Sequence, residues 1–505
     1  MVLRERSLTV TLRRRLLHAI ASLTPRIARA RRDVTFPSDK SECADCVAVL
    51  RISLDAGNAR DQLVSLRILR RLLSREGNPP IDAAVETGLV PIIMRYLRQQ
   101  LNPKLQFEAL WALTNIMACG TSAHVAVVLA AGALPLFVEL LDSPDMDVRE
   151  QAVWAIGNVA GDSPANRDAV LATPALAKML PLLGQHSNPT FVRNVAWTIS
   201  NCLRGRPNPP LHVAAQVLPT LALLLYMQDK ETLVDSSWAL AYFTDSEEGE
   251  GAALQLVVEI GICARLAELL QHESVDVQAP ALRVIGNIIS GNEMQTRAMI
   301  DAGALKGLQM LLDGRRAMLK KEACWVVSNI MAGTTLQIQA AIDANLPQAL
   351  VQVMATAGGA GARETRREAC WAIANATGCG TTEQIYALLR AAVVPQLARI
   401  AASGDEEPKI TLIALEGLEN ILHAAPALAA AGLMPGAELL GLFEQADVPS
   451  ILYEIDVHRR VQPEEQDFAD VALKARSILQ TFFPGFSAED DEEEDAPVRA
   501  PEPEL

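Results

Sequence analysis

The chain has 505 residues, of which 50% are hydrophobic and 21% charged, so it carries enough apolar material to bury a large core and too much for a disordered polymer. The formal charge of −15 is unevenly spread: residues 1–40 hold nine Arg and one Lys against three acids, +7, while residues 488–505 hold nine acids against one Arg, −8. An acidic body argues against nucleic acid as a direct partner and points to cationic ones, its own basic head among them.

In chain order, the first 32 residues are Arg-rich, acid-poor and partly amphipathic. Basic protein-binding segments and mitochondrial transit peptides share that composition, and no apolar core with a cleavage site marks a secretory signal. Cys43 and Cys46 form a lone C-x-x-C without a second pair or a His cluster, and the eight cysteines follow no disulfide framework. They read as reduced thiols, with no metal and no cofactor implied. A first, weak helical unit lies around residues 63–73 and a last one around 468–483.

Between them one frame recurs: "WALTN" at 111, "WAIGN" at 154, "WTISN" at 197, "WVVSN" at 325 and "WAIAN" at 371. Adding Trp238, Arg283 and Glu416 at the same slot gives steps of 43, 43, 41, 45, 42, 46 and 45 residues. A period in the forties without strand-like alternation is the signature of stacked helical repeats of the armadillo or HEAT kind. Each unit carries upstream a turn and an apolar helix, as in "TGLVPIIMRYL", "AGALPLFVELL" and "AGALKGLQMLL"; the Gly supplies the turn and Pro suits the helix start. The expected fold is all-α: a right-handed superhelical solenoid of about ten armadillo repeats over residues 41–486, with a basic segment at 1–40 and an acidic tail at 487–505 that its composition makes disordered. The longest uncharged stretch, 207–228, holds four prolines and reads as a loop with buried helices, so no membrane insertion is expected.

Trp and Asn four residues apart share one helix face. A core slot accepts any large apolar residue, yet Trp returns here to the same slot, beside an Asn that is costly to bury unpaired. A carboxamide both donates and accepts, so a row of them suits the backbone of an extended peptide. Neighbouring Trp rings form slots for the aliphatic stems of Lys and Arg, with cation–π attraction for their heads. Acids at the slot ends, Asp162, Asp235, Asp245, Glu322 and Glu368, complete a surface for an extended basic segment.

The stretches "REQAVWAIGNVAGD", "FVRNVAWTISNCLRG", "DSSWALAYFTD", "ALRVIGNIISG" and "LLSREGNPPID" resemble the importin-α (karyopherin-α) nuclear import adaptors, and the likeness runs through nearly the whole chain. The resemblance implies a protein without catalysis that shuttles between cytoplasm and nucleus and binds the nuclear localisation signals of cargo proteins at two sites. The implied major site comprises Trp111, Asn115, Gly120, Gln151, Trp154, Asn158, Asp162, Asn194, Trp197, Asn201, Asp235 and Trp238. The implied minor site comprises Arg283, Asn287, Glu322, Trp325, Asn329, Glu368, Trp371 and Asn375. Tyr242 in the Asn slot and Arg283 in the Trp slot fall where the family separates its two sites. Two departures concern the first rung: "NIMACGTS" is one residue longer than the family's loop, and Val125 stands where a hydroxyl is expected.

By the same resemblance the head is an importin-β-binding segment, with Arg13, Arg14 and Arg15 in its basic run and Arg31 and Arg32 as autoinhibitory residues. A tethered basic segment beside an acidic groove competes with cargo through its effective concentration. Before position 40 its bases are all Arg, where the deepest pocket favours Lys, so weak autoinhibition is expected. The last repeat is the implied contact of the export receptor that recycles the adaptor. The alternative is an armadillo scaffold outside nuclear transport, against which the Trp/Asn ladder with its acids discriminates. The seven dispersed His, with no phosphate loop or nucleophile motif, give no support to an enzyme.

Overall fold

A computed structural model describes residues 40–486 apart from 57, 100–101, 186–187, 246–250, 356–359, 404–406 and 462–468. The head with Arg13, Arg14, Arg15, Arg31 and Arg32, and the acidic tail, lie outside the described residues. Every regular element among the described residues is a helix. They fall into two units, one ending at Phe243 and the other starting at Thr244.

The expected repeat is present as two short helices followed by a long one. Ser122–Ala130 and Ala133–Leu140 precede Met146–Asp162 in the first unit; Glu293–Asp301 and Ala304–Asp313 precede Ala317–Met331 in the second. The long helices carry the ladder and are numbered here. The first unit holds α1 (Ala59–Leu73), α2 (Pro103–Cys119), α3 (Met146–Asp162), α4 (Pro189–Leu203) and all but the last residue of α5 (Lys230–Thr244). The second holds α6 (Val275–Ile289), α7 (Ala317–Met331), α8 (Ala360–Cys379), α9 (Pro408–His423) and α10 (Ala469–Phe482). Their starts follow helix-capping rules: Pro103, Pro189 and Pro408 stand in the first turn, and Asn102, Asp145 and Asn188 accept backbone N–H groups that would otherwise lack partners.

The turn between the short helices needs a left-handed residue, which Gly88, Gly132 and Gly303 supply (φ 74°, 80° and 88°). Ala392 takes the same conformation without that freedom (φ 61°). Residues 207–228 form a loop and the short helices Leu211–Ala214 and Leu218–Leu224. No single helix among the described residues is long and apolar enough to cross a membrane.

Repeats hold one another through polar bolts as well as apolar packing. In the second unit Gln295, Gln337 and Gln384 stand third in their helices, and each accepts from the N–H of its own cap residue. Each also donates to the preceding repeat, at the carbonyls of Gly251, Glu293 and Thr335 (3.2, 3.0 and 2.6 Å). His124 fills this place in the first unit: its Nδ1 accepts from the Thr121 N–H, and its Nε2 lies 3.0 Å from the Asp82 carboxylate.

Candidate functional site: two tryptophan–asparagine ladders

Trp111, Trp154, Trp197, Trp238, Trp325 and Trp371 are all half-buried on their long helices. Trp197 and Trp325 lie against the preceding repeat. Gly157 and Gly286 make the seats. A Cβ on Gly157 would run into the Trp197 ring, and one on Gly286 into the Trp325 ring. The frame is thus Trp-x-x-Gly-Asn in α3 and Arg-x-x-Gly-Asn in α6, where the Gly serves the Trp of the next repeat. Sequence reasoning missed these two glycines, although "WAIGN" and "RVIGN" display them.

Most of the ladder Asn side chains are turned to the fold as well as to the surface. Asn115 Nδ2 donates to the Arg70 carbonyl (3.0 Å), Asn201 to Gly157 (3.1 Å) and Asn375 to Ser328 (3.1 Å), each one repeat back. Asn287 donates to Thr244 Oγ1 (2.9 Å), and Asn158 to the Trp154 carbonyl of its own helix (2.9 Å). Asn115 and Asn201 are only 5% exposed, which a purely surface ladder does not require. One amide proton of each is thereby committed to the fold. Asn329 is the exception, since its buried Nδ2 has no partner.

In the first unit Trp111 and Trp154 meet edge to face at 6.2 Å, and Phe107 meets Trp111 likewise at 5.4 Å. Tyr242 stacks on Trp238 (5.8 Å, 25° between planes), so the residue replacing Asn extends the aromatic wall. Arg70 already lies over Trp111, 4.1 Å from the ring centroid, and with Arg67 holds Glu108. The acids differ in their commitments. Asp162 accepts from Asn166 (2.7 Å). Asp235 on α5 makes no hydrogen bond or ion pair with a described residue, and burial, reinforced by Glu231, pushes its carboxyl up to about 6. Glu150 is also raised, first by burial and then by Asp147, while a hydrogen bond from Asn188 pulls it down; Asn194 reaches it at 3.4 Å. Gln151 is buried and donates to Thr114 Oγ1 (3.1 Å), a brace between α2 and α3. Gly120 caps the C-terminus of α2, whose last helical residue is Cys119, and Val125 is buried at 2% exposure.

In the second unit the slots hold the chain's own cations. Arg283 pairs with Glu322 (2.8 Å) and lies 5.4 Å from the Trp325 centroid. Arg367 pairs with Glu368 (3.3 Å), and Lys409 stands 5.9 Å from Trp371. A cavity of about 320 Å³ opens beside Asn329, lined also by Ile289, Ser290, Gly291, Glu293, Thr296, Ala332, Gly333, Thr334 and Gln337. Apart from Asn329 the sequence reading singled out none of its lining. Among the described residues no three His, Cys, Asp or Glu side chains gather as a metal site.

Three-helix repeats with a Trp/Asn row define an armadillo-repeat protein, and the armadillo/β-catenin-like repeat family model matches residues 77–118, 121–161 and 292–332. An engineered protein of known crystal structure superposes with a TM-score of 0.73 at 25% identity, over 86% of this chain and 98% of its own. Importin subunit alpha-1b of Oryza sativa subsp. japonica is 46% identical over 367 residues, 72% of this chain and 67% of the relative. Importin subunit alpha-1a of the same plant is 41% identical over 66% of this chain and 54% of its own length. Importin subunit alpha-2 of Arabidopsis thaliana is 48% identical over 42% of this chain and 39% of its own. The chain belongs to the importin-α family, whose members are transport adaptors and not enzymes.

Proposed function

We propose that the protein is a nuclear import adaptor that lays Lys/Arg-rich localisation signals, as extended peptides, along its two ladders. The observation that carries this reading is Asp235: a half-buried carboxylate with no partner on the ladder face of α5, one turn from Trp238. Leaving a charge there is costly, and an incoming Lys or Arg removes the cost. Trp111, Trp154, Trp197 and Trp238 offer walls for the stems of basic side chains, and the Asn carboxamides offer backbone partners. Arg283, Asn287, Glu322, Trp325, Asn329, Glu368, Trp371 and Asn375 form the second site. Residues 1–40 link the cargo complex to importin-β and compete for the first site when free, with Arg31 and Arg32 in the groove. The last repeat, with Leu473 61% exposed, meets the export receptor, and the protein shuttles between cytoplasm and nucleus.

Binding of a labelled monopartite Lys-rich peptide, followed by fluorescence anisotropy, tests the reading. Trp154→Ala with Asn158→Ala is expected to weaken it by at least about 30-fold, the cost of truncating an aromatic anchor. Unchanged affinity in a folded variant would sink the assignment. Pull-down of residues 1–40 by importin-β tests the adaptor step separately; failure there would leave a cargo-binding armadillo protein.

A further inference from the structure

The ladder helices do not start alike. α1, α3, α5, α6 and α10 place an acid in the first turn, Asp61, Asp147, Glu231, Asp276 and Asp470, where the helix dipole favours negative charge. α7 and α8 have none there and begin among bases instead. Residues 314–321 hold Arg315, Arg316, Lys320 and Lys321 with no acid, and residues 360–367 hold Arg363, Arg366 and Arg367 against Glu364 alone, in a chain of net charge −15. A run of charge is usually a solvated face. These bases, however, stand at the end of the helix where the dipole opposes them, and Arg363 and Arg367 are like charges four residues apart, which weakens a helix. Local helix energetics do not explain the arrangement.

The two starts form one surface. A Cβ on Gly361 would stand 3.8 Å from the Ala317 Cβ, and Lys321 Nζ reaches Glu364 across the pair at 2.8 Å. Arg315, Arg316 and Arg363 are exposed, and neither they nor Lys320 pair with an acid among the described residues. Met318, 55% exposed, stands between Arg316 and Lys320 in the chain and adds an apolar contact. Nucleic acid fits poorly, because a long polyanion runs past two helix starts onto a body that repels it. A short acidic peptide matches the patch in extent as well as in sign. We infer that the starts of α7 and α8 are a docking surface for a short Asp/Glu-rich segment of a partner protein. The surface takes the opposite charge from the ladder, so the inference goes beyond the proposed function and does not rest on it.

The test is fluorescence anisotropy of a labelled octaglutamate peptide with the full chain at low salt. Arg315→Ser/Arg316→Ser/Arg363→Ser is expected to weaken binding by about ten-fold or more, the order of losing close charge pairs. Trp325→Ala with Asn329→Ala should leave it unchanged, which separates this surface from the ladder. Carbodiimide coupling should join the peptide's carboxyls to the amine of Lys320 or Lys321. Removal of three exposed bases elsewhere, Arg51→Ser/Arg60→Ser/Arg98→Ser, should have little effect. Equal losses in the two triple variants would reduce the binding to diffuse attraction and overturn the inference, as would no binding at all. A single-stranded oligothymidine of equal charge, bound as tightly and lost with the same three arginines, would overturn it in favour of any polyanion. Neutralising the acids at 489–495 should not change the affinity; a gain would give the surface to this chain's own tail instead of a partner.

Discussion

The two units carry the same rungs with opposite electrostatic settings. In the first, Asp235 waits without a partner and its carboxyl is pushed up to about 6. In the second, Glu322 and Glu368 are already paired with Arg283 and Arg367, and Arg283 and Lys409 stand over Trp325 and Trp371. A cationic ligand is drawn to an unpaired, partly desolvated carboxylate, whereas it must displace a resident cation before it gains anything from a paired one. Both units hold a resident cation on a Trp, Arg70 over Trp111 in the first; what differs is the acid, unpaired at Asp235 and paired at Glu322 and Glu368. The first site should therefore bind simple Lys-rich peptides more tightly, and the second should need additional contacts.

Substitutions in either unit test that contrast. Gly157→Ala removes the seat of Trp197 and should weaken a Lys-rich peptide by about ten-fold or more, as loss of an aromatic anchor does. Gly286→Ala acts on Trp325 and should leave that peptide nearly untouched, as competition anisotropy will show. Asp235→Asn should cost about ten-fold in affinity at pH 7.5, the order of one close charge pair. Its stability should move the other way. Folding raises this carboxyl above its unfolded value, so the ionised form is disfavoured in the native state, and the resulting cost is fully present above about pH 6. The Asn variant should therefore melt higher at neutral pH while binding worse, a pairing that an ordinary packing defect would not produce.

The same group sets a pH profile. Below about 6 the Asp235 carboxyl takes up a proton and cannot pair with a cation, so peptide affinity should rise as pH increases through that value and then level off. The step should vanish in Asp235→Asn; a step that persists would assign it to another group. Arg283→Ala frees Glu322 and clears the Trp325 face, and should raise second-site affinity for a basic peptide by about three-fold, measured with the first site silenced. The smallest effect concerns the scaffold. Ala392 holds a left-handed turn that Gly88, Gly132 and Gly303 make without strain, so Ala392→Gly should stabilise the second unit by about 0.5–1 kcal/mol in chemical denaturation.

Much of this architecture was legible in the chain. The period of the Trp slots placed the long helices, and the Gly before each second apolar helix marked a left-handed turn at 88, 132 and 303. Features that depend on what one repeat meets in the next were not legible. Gly157 reads as a weak helix residue until Trp197 is seen lying on it, some forty residues later. The second role of Asn115, Asn201 and Asn375 is likewise a bond to the preceding helix, which the i, i+4 spacing within one helix does not reveal. The resident cations were hidden for the same reason: Arg70 is one repeat away from Trp111, and Lys409 from Trp371. Helical periodicity reports the face on which a residue lies. The partner on the facing repeat sets whether that residue is free to bind.

Isothermal titration of one Lys-rich peptide into two full-chain variants measures the contrast between the units directly. One variant carries Trp154→Ala and Asn158→Ala, the other Trp325→Ala and Asn329→Ala. Loss of the first pair is expected to weaken the tighter binding event by at least about 30-fold, and loss of the second by less than about three-fold. Equal losses, or a larger loss from the second pair, would contradict the claim that the unpaired Asp235 makes the first unit the stronger site.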